Sequence, residues 1–119
     1  MEIAGITTDL AVTDLDLAVA FYADILERAP DLRPDDRSAE WILHRRPEIA
    51  LRLVAREGSP ASGFRIGIGV ADVARERARL SAVWGELPSV TTRPGVIAQL
   101  ELRDPDHNLV ALWQDLMHR

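Results

Sequence analysis

The sequence predicts an α+β fold made of two similar halves, each with a strand, a helix and two or three further strands. The first observation is a weak repeat, because residues 12–15, Val-Thr-Asp-Leu, return as residues 70–73, Val-Ala-Asp-Val. The second is that an alternating apolar segment precedes each copy, and a segment with helical spacing follows it. The third is a run of turn-forming residues between the halves, at 57–63.

The first strand and the helix of each half follow from side-chain spacing. In segments 6–12 and 65–70 every second residue falls on one face, and the residues of that face are apolar or threonine, which is the period of a half-buried strand. Helical spacing begins after Asp14 and after Asp72. An aspartate at that point accepts hydrogen bonds from the first free N–H groups of a helix, so both are predicted to be N-caps.

Turn signals divide the rest of the chain into further strands. Strands are predicted at 39–45, 48–55, 87–92, 96–103 and 108–116, with breaks at 46–47, 94–95 and 104–107. Residues 29–37 hold two prolines and three aspartates, which favours a short edge strand and a loop. We therefore expect one domain of two modules, about 1–56 and 64–119, joined by a connector at 57–63.

Composition excludes several classes of function. The 119 residues include no cysteine, which rules out disulfides, thiolate catalysis and cysteine-ligated zinc. Fourteen basic and nineteen acidic residues give a net charge of −5, which is unfavourable for binding nucleic acid. No apolar run approaches the roughly 18 residues that cross a bilayer, so we expect no membrane partner and a cytoplasmic protein.

Two segments carry motifs of a known family. Residues 12–22, Val-Thr-Asp-Leu-Asp-Leu-Ala-Val-Ala-Phe-Tyr, are similar to its strand-into-helix signature. Residues 102–110, Leu-Arg-Asp-Pro-Asp-His-Asn-Leu-Val, are similar to its Asp-Pro-Asp-Gly-Asn turn, with His107 where glycine is usual. That turn position often needs a positive φ, which histidine tolerates better than a β-branched residue does. With the repeat, these motifs resemble the vicinal oxygen chelate superfamily of glyoxalase I, extradiol dioxygenases and bleomycin resistance proteins.

The resemblance implies two βαβββ modules that form an incomplete barrel, with helices outside and a concave ligand cup inside. Alternation along the strands then divides the side chains between helices and cup. Expected to face the helices are Ile6, Thr8, Leu10, Ile66, Ile68, Val70, Leu100, Leu102, Val110 and Leu112. Expected to bind a ligand in the cup are Thr7, Asp9, Trp41, Arg52, Arg65, Gln99, Glu101 and Trp113. For Trp41 and Trp113 a dimer contact is an open alternative. Gly67 and Gly69 would leave room there for a ligand or for bulky neighbours.

An arginine inside a polar cup needs a partner, and for Arg65 two partners are possible. One interpretation makes Arg65 the balancing charge of Asp9 or Glu101. The other makes it a cation that binds the ligand. Both interpretations stay open at the level of sequence.

Metal-using members of the superfamily place four ligands in the cup, one on each of four strands. Counting from the two motifs puts those positions on Thr7, Ala50, Arg65 and Ala111. Alanine has no donor atom and arginine has no lone pair, so we predict no metal site and no cofactor.

The function expected from this reading is metal-independent binding or sequestration of a small organic molecule, as in the bleomycin resistance proteins. The alternative is a glyoxalase-like lyase or isomerase in which Glu101 or Asp9 is a general base. A protein-interaction module is a third class. The resemblance also implies a homodimer. The sequence adds a separate reason, because each small module exposes sheet edges that need covering.

Other reactive residues give weaker indications. His44 could shuttle a proton, but an exposed strand end is the favoured interpretation. His107 is assigned to a turn and His118 to the terminus. No serine lies in a GxSxG context.

Overall fold

The chain folds into two compact units, Met1–Ser62 and Gly63–Arg119. The structure, a computed structural model, describes residues 1–58 and 64–117. Most of the predicted connector and the terminal His118 lie outside these described ranges. Within the same ranges, neither helix has the length and hydropathy needed to cross a membrane.

The first unit contains one helix and a four-stranded mixed sheet. Its elements are β1 (Gly5–Val12), α1 (Leu15–Leu26), β2 (Leu32–Asp35), β3 (Ser38–Arg45) and β4 (Glu48–Ala55). The strand order is β1-β4-β3-β2, with β1 parallel to β4 and the other neighbours antiparallel. Asp14 caps α1 as predicted, because its carboxylate accepts from the backbone N–H of Leu17 at 3.1 Å.

The core of the first unit lies between α1 and the sheet face that it covers. Leu10 and Leu53 are neighbours on β1 and β4 and are almost fully buried. Tyr22 of α1 is also fully buried and meets Phe21 edge-on, with ring centroids 5.1 Å apart. Ile6, which was expected to face the helix, is instead largely exposed, because α1 packs mainly on β3 and β4.

The second unit repeats this arrangement. Its elements are β5 (Arg65–Gly69), α2 (Val73–Trp84), β6 (Thr91–Arg93), β7 (Ile97–Arg103) and β8 (Leu109–Asp115). The strand order is β5-β8-β7-β6, with β5 parallel to β8 and the other neighbours antiparallel. Asp72 caps α2 by accepting from the backbone N–H of Arg75 at 3.1 Å. The predicted α+β class with two βαβββ modules is therefore confirmed.

The strand predicted at 87–92 is much shorter in the structure. Arg77 of α2 donates to the carbonyl oxygens of Leu87 and Pro88, at 2.8 and 2.7 Å. Proline also lacks the N–H that a strand ladder requires. Because these backbone groups serve the helix side chain instead of a neighbouring strand, β6 begins only at Thr91.

A buried turn immediately precedes β8. Asp104 is 3% exposed and Asn108 is 1% exposed. The Asp104 carboxylate accepts from the backbone N–H groups of Asp106 at 2.9 Å and Asn108 at 2.8 Å, and from the Asn108 amide at 3.0 Å. His107 has a φ of 65°, the left-handed conformation expected for this turn. The turn fixes the residue at which β8 begins.

We expect Asp104→Ala to lower the free energy of unfolding by about 2 kcal/mol or more, because buried donors of Asn108 lose their acceptor. Urea denaturation measures the change. Asp36→Ala is the matched control, because Asp36 is exposed in the β2–β3 turn and should cost about 0.5 kcal/mol or less. Equal losses in the two variants would show that other contacts hold the turn.

Candidate functional site

The sheet face of the first unit that α1 does not cover, its helix-free face, carries a closed ion pair. Thr7 and Asp9 of β1 lie beside Ala50 and Arg52 of β4. The Arg52 guanidinium donates to the Asp9 carboxylate from Nε at 3.0 Å and from Nη2 at 2.9 Å. This hydrogen-bonded carboxylate raises the pKa of Arg52 above its ordinary value. Both charges are therefore matched within the unit.

An open depression of about 400 Å³ adjoins this pair, beside Asp35, Arg37 and Arg56. The Asp35 carboxylate accepts from the Arg37 backbone N–H at 2.9 Å and from the Ser38 hydroxyl at 3.0 Å. These hydrogen bonds hold the pKa of Asp35 below its ordinary value. Arg37 donates in turn to the Ala55 carbonyl at 3.0 Å. Most of the charged groups here are already engaged by their neighbours.

Trp41 does not belong to the helix-free face. It pairs with the buried Leu51 on the side of the sheet that α1 covers, and it is 0% exposed. Its indole N–H donates to the carbonyl oxygen of Arg28, at 3.0 Å, just after α1. A large apolar ring whose N–H is paired is most stable in the core. Trp41 is therefore a core residue, contrary to the expectation that it binds a ligand.

The helix-free face of the second unit, the sheet face away from α2, holds Trp113 against two glycines. Gly67 and Gly69 of β5 lie beside Ala111 and Trp113 of β8. A Cβ on Gly69 would lie 2.8 Å from the indole Cζ2, and one on Gly67 would lie 3.4 Å from Nε1. The indole thus rests on the backbone of β5, in space that side chains there would fill. Trp113 remains 37% exposed.

Arg65 extends to the same place from the beginning of β5. Its Nη1 lies 3.7 Å from the position of a Cβ on Gly67, next to the Trp113 indole. Among residues 1–58 and 64–117, its side chain forms no hydrogen bond or ion pair. Of the two expected counter-charges, Asp9 is bound by Arg52 within the first unit, and Glu101 accepts from Gln99 within the second.

Polar groups of β7 complete this surface. Glu101 and Gln99 pair across the ladder with Ala111 and Trp113, so all four lie on the same face. The Gln99 side-chain amide donates to Glu101 Oε1 at 3.3 Å. Beyond them, Thr91, Arg93, Ile97 and Gln99 border a depression of about 280 Å³. The sequence did not predict Arg93 as a residue of this surface, because only the pairing of β6 with β7 brings it to this face.

The two helix-free faces together account for the other expected ligand-binding residues. Thr7, Asp9 and Arg52 share the face of the first unit, and Arg65, Gln99, Glu101 and Trp113 share that of the second. His44 is exposed near the end of β3, with Nδ1 2.9 Å from the Pro47 carbonyl oxygen. These contacts agree with the strand-end interpretation of His44.

Strand register corrects one of the four positions at which the superfamily places metal ligands. Measured from the two helix caps, Asp9 corresponds to Gly67, and these residues pair with Arg52 and Ala111. Arg52 and not Ala50 is therefore the counterpart of Ala111. The predicted position, Ala50, is two residues before Arg52, because strand pairing and not distance along the chain defines the equivalent position.

The corrected set of positions does not fit a divalent metal ion. It consists of Thr7, Arg52, Arg65 and Ala111, of which only the threonine hydroxyl offers a lone pair. Metal ions of this class need carboxylate, imidazole or thiolate donors. In the part of the chain that the structure describes, no group of three or more His, Asp or Glu side chains could hold a metal ion.

Known structures share this fold. A glyoxalase/bleomycin resistance protein from Catenulispora acidiphila superposes with a TM-score of 0.78 and 23% identity, over 92% of this chain and 96% of its own. Lactoylglutathione lyase from Agrobacterium tumefaciens superposes with a TM-score of 0.74 and 22% identity, over 92% of this chain and 91% of its own. A bleomycin resistance determinant encoded on transposon Tn5 superposes with a TM-score of 0.66 and 24% identity, over 92% of this chain and 96% of its own. No family model matches the sequence, and no curated protein matches it significantly.

These likenesses establish the fold. The chain has the glyoxalase/bleomycin resistance fold, which is the fold of the vicinal oxygen chelate proteins, along more than nine-tenths of its length. The two-module fold that the sequence motifs imply is thereby confirmed.

We expect Gly69→Ala to lower the free energy of unfolding by about 1–3 kcal/mol, because the new methyl group would overlap the Trp113 indole. Gly67→Ala is the matched control on the same strand, where the contact is close to ordinary and the change should be about 0.5 kcal/mol or less. Urea denaturation compares the two. Similar losses at both positions would mean that the indole does not rest on Gly69.

Proposed function

We propose that this protein binds a small organic molecule on the helix-free face of the second unit, with Trp113 and Arg65 as the main contacts. The observation that carries the proposal is an arginine without a partner, among the described residues, beside a partly exposed indole. An indole offers a flat apolar surface to a ring, and a guanidinium binds a carboxylate or enolate through two hydrogen bonds. Together they suit a planar ligand with an acidic group.

The contrast between Arg65 and Arg52 supports this assignment. Arg52 has a carboxylate on the adjacent strand and uses two of its donors on it. All five N–H donors of Arg65 remain for a ligand in the described part of the chain. Of the two interpretations of Arg65, the ligand-binding cation is therefore the one that we propose, with Gln99 and Glu101 as further polar contacts.

We further propose that binding needs no metal ion. The superfamily's metal acts by chelating two adjacent oxygens of the substrate. Here the residues at the four ligand positions offer no donor set for such an ion, and Arg65 supplies a positive charge at one of them. The sequestering function of a bleomycin resistance protein needs only binding, so it is compatible with this face.

A catalytic function is the second candidate, because Glu101 is exposed beside the proposed ligand. As a general base it would take a proton from the bound molecule in a lyase or isomerase reaction. Asp9 is less suitable, since both of its oxygens accept from Arg52. Turnover that Glu101→Gln abolishes without loss of binding would favour this candidate over sequestration.

The proposal includes a cytoplasmic homodimer. Ile6 and Ile49 are neighbours on β1 and β4, and both are substantially exposed although apolar. β1 is also an edge strand of its sheet, and unpaired edges favour association. A second copy of the chain that packs against β1 would bury the side chains of Ile6 and Ile49. A chain without cysteine is compatible with the reducing cytoplasm.

Arg65→Ala should weaken the binding of an aromatic carboxylate such as 4-methylbenzoate by about 30-fold, while the free energy of unfolding changes by less than about 0.5 kcal/mol. The physical reason is that Arg65 has no protein partner to lose among the described residues. Isothermal titration calorimetry and urea denaturation measure the two quantities.

Arg52→Ala is the matched control for this experiment. It should leave binding unchanged and cost about 0.5–1 kcal/mol of stability, because its ion pair is nearly half exposed. If both variants weaken binding equally, the assignment of the ligand to the second unit is wrong.

A chelator should leave the melting temperature unchanged. A metal ion that binds only the native state stabilises it by mass action, so its removal would lower the melting temperature by several degrees. Differential scanning calorimetry with and without EDTA makes the comparison. A fall that zinc or nickel reverses would contradict the metal-independent proposal.

Sedimentation equilibrium at micromolar concentration should give the mass of a dimer. Ile6→Glu should shift it toward the monomer, because a charge placed in the apolar contact is costly to bury. Ile3→Glu is a control in the exposed segment before β1. A monomeric wild-type protein would refute the dimer.

A further inference from the structure

The depression of about 400 Å³ on the first unit is bordered by more basic than acidic side chains. Its charged residues are Asp9, Asp35, Arg37, Arg52 and Arg56, which carry three positive charges and two negative ones. Arg52 and Asp9 neutralise each other through two hydrogen bonds. The charges that remain are those of Arg37 and Arg56 against the single charge of Asp35, so one positive charge is left unbalanced.

Arg56 is a cation that no protein group binds in the described part of the chain. Its backbone N–H donates to the Val12 carbonyl at 2.9 Å, which continues the pairing of β4 with β1 by one residue. Because side chains alternate along a strand, Arg56 lies on the same face as Val54 and Arg52. Its side chain is exposed and forms no hydrogen bond or ion pair among residues 1–58 and 64–117, the adjacent Glu57 included.

Arg37 is held at the same end of β4. Its Nη2 donates at 3.0 Å to the carbonyl oxygen of Ala55, the residue before Arg56. The Arg37 carbonyl in turn accepts from the Ala55 backbone N–H at 2.7 Å. These contacts fix the side chain and leave its other guanidinium donors without a partner among the described residues. A donor that is fixed before binding loses less entropy when a ligand arrives.

The acidic groups of this face do not cancel the charge at that end. Asp9 and Glu40 lie opposite Arg52 on the two neighbouring strands, and both raise the pKa of Arg52. Asp35 accepts from a backbone N–H and a hydroxyl, which lowers its pKa and keeps it charged near neutral pH. It forms no ion pair with an arginine in the described residues.

We propose that this depression is a second binding site, for a small aliphatic carboxylate whose anionic group is bound by Arg37 and Arg56. A carboxylate carries the single negative charge that balances the site, and its two oxygens can accept hydrogen bonds from two guanidiniums. Val54 is half-buried at the border of the depression and offers an apolar contact to a short hydrocarbon chain. A phosphate monoester would bring a second negative charge beside Asp35, which makes it the poorer ligand.

Side-chain NMR of the full chain tests the site with 3-methylbutanoate as the probe. In nitrogen–proton correlation spectra, the Nε–H resonances of Arg37 and Arg56 should shift saturably as the probe is added at constant ionic strength. The neutral analogue 3-methylbutanamide should not shift them, because it lacks the charge. 3-Methylbutyl phosphate, doubly charged at about pH 8, should bind more weakly than the carboxylate.

Arg56→Gln should weaken the binding of 3-methylbutanoate about fivefold, because an exposed charge pair contributes up to about 1 kcal/mol. Arg46→Gln is the matched control. Arg46 is exposed in the same unit, but it lies just before β4 and not just after it, so the dissociation constant should change less than twofold. Both variants alter the net charge equally, so the comparison isolates the position of the charge.

The outcomes separate this site from the proposed function. Equal effects of Arg56→Gln and Arg46→Gln, shifts that the amide also produces, or tighter binding of the phosphate ester would each overturn the inference. Arg65→Ala should leave the shifts of Arg37 and Arg56 unchanged. If it abolishes them, the carboxylate binds only the second unit, so the inference fails and the proposed function stands. If the shifts persist and Arg65→Ala does not weaken 4-methylbenzoate, the proposed function alone fails.

Discussion

The helix-free face of the second unit depends on where β8 begins, and the hydrogen bonds of Asp104 determine that point. Because its buried carboxylate accepts from Asn108, the strand starts at Leu109 and pairs in parallel with β5. This register brings Trp113 beside Gly69. A slip of one residue would turn every side chain of β8 to the opposite face, with the indole under α2. The position of one acidic group in a turn thus decides what the surface can bind.

The two units show how the same scaffold can carry different chemistry. Each has a parallel pair of strands in which a cationic residue lies on the helix-free face. In the first unit the acid of that face is on the adjacent strand, and Asp9 and Arg52 neutralise each other. In the second, Gly67 and Ala111 occupy the positions that correspond to Asp9 and Arg52, and the cationic residue is Arg65, at the position of Thr7. The arginine of the second unit therefore has no acid on the adjacent strand at its own register position, where the described partner is Leu109.

Local features of this protein are readable from the sequence, because nearby residues determine them. The caps at Asp14 and Asp72 need only an acceptor before a helical segment, and the left-handed His107 follows from its turn motif. Features that depend on pairing between distant strands cannot be predicted from nearby residues. Long-range register determines the burial of Trp41, the counterpart of Ala111 and the position of Arg93 beside Ile97, and single-strand periodicity leaves that register open.

Two of the three tryptophans lie on opposite sides of their sheets, so the intrinsic fluorescence of the protein can report on each unit separately. Trp41 is wholly enclosed in the first unit, whereas Trp113 is 37% exposed in the second, beside the Arg65 guanidinium. An anionic quencher such as iodide is drawn to Trp113 and has no access to Trp41. The third tryptophan, Trp84, is half-buried at the end of α2 and is replaced by phenylalanine for this purpose. In that variant quenchable emission reports whether the helix-free face is occupied, and unquenchable emission reports whether the first unit is folded. One fluorescence titration can follow both properties in the same sample.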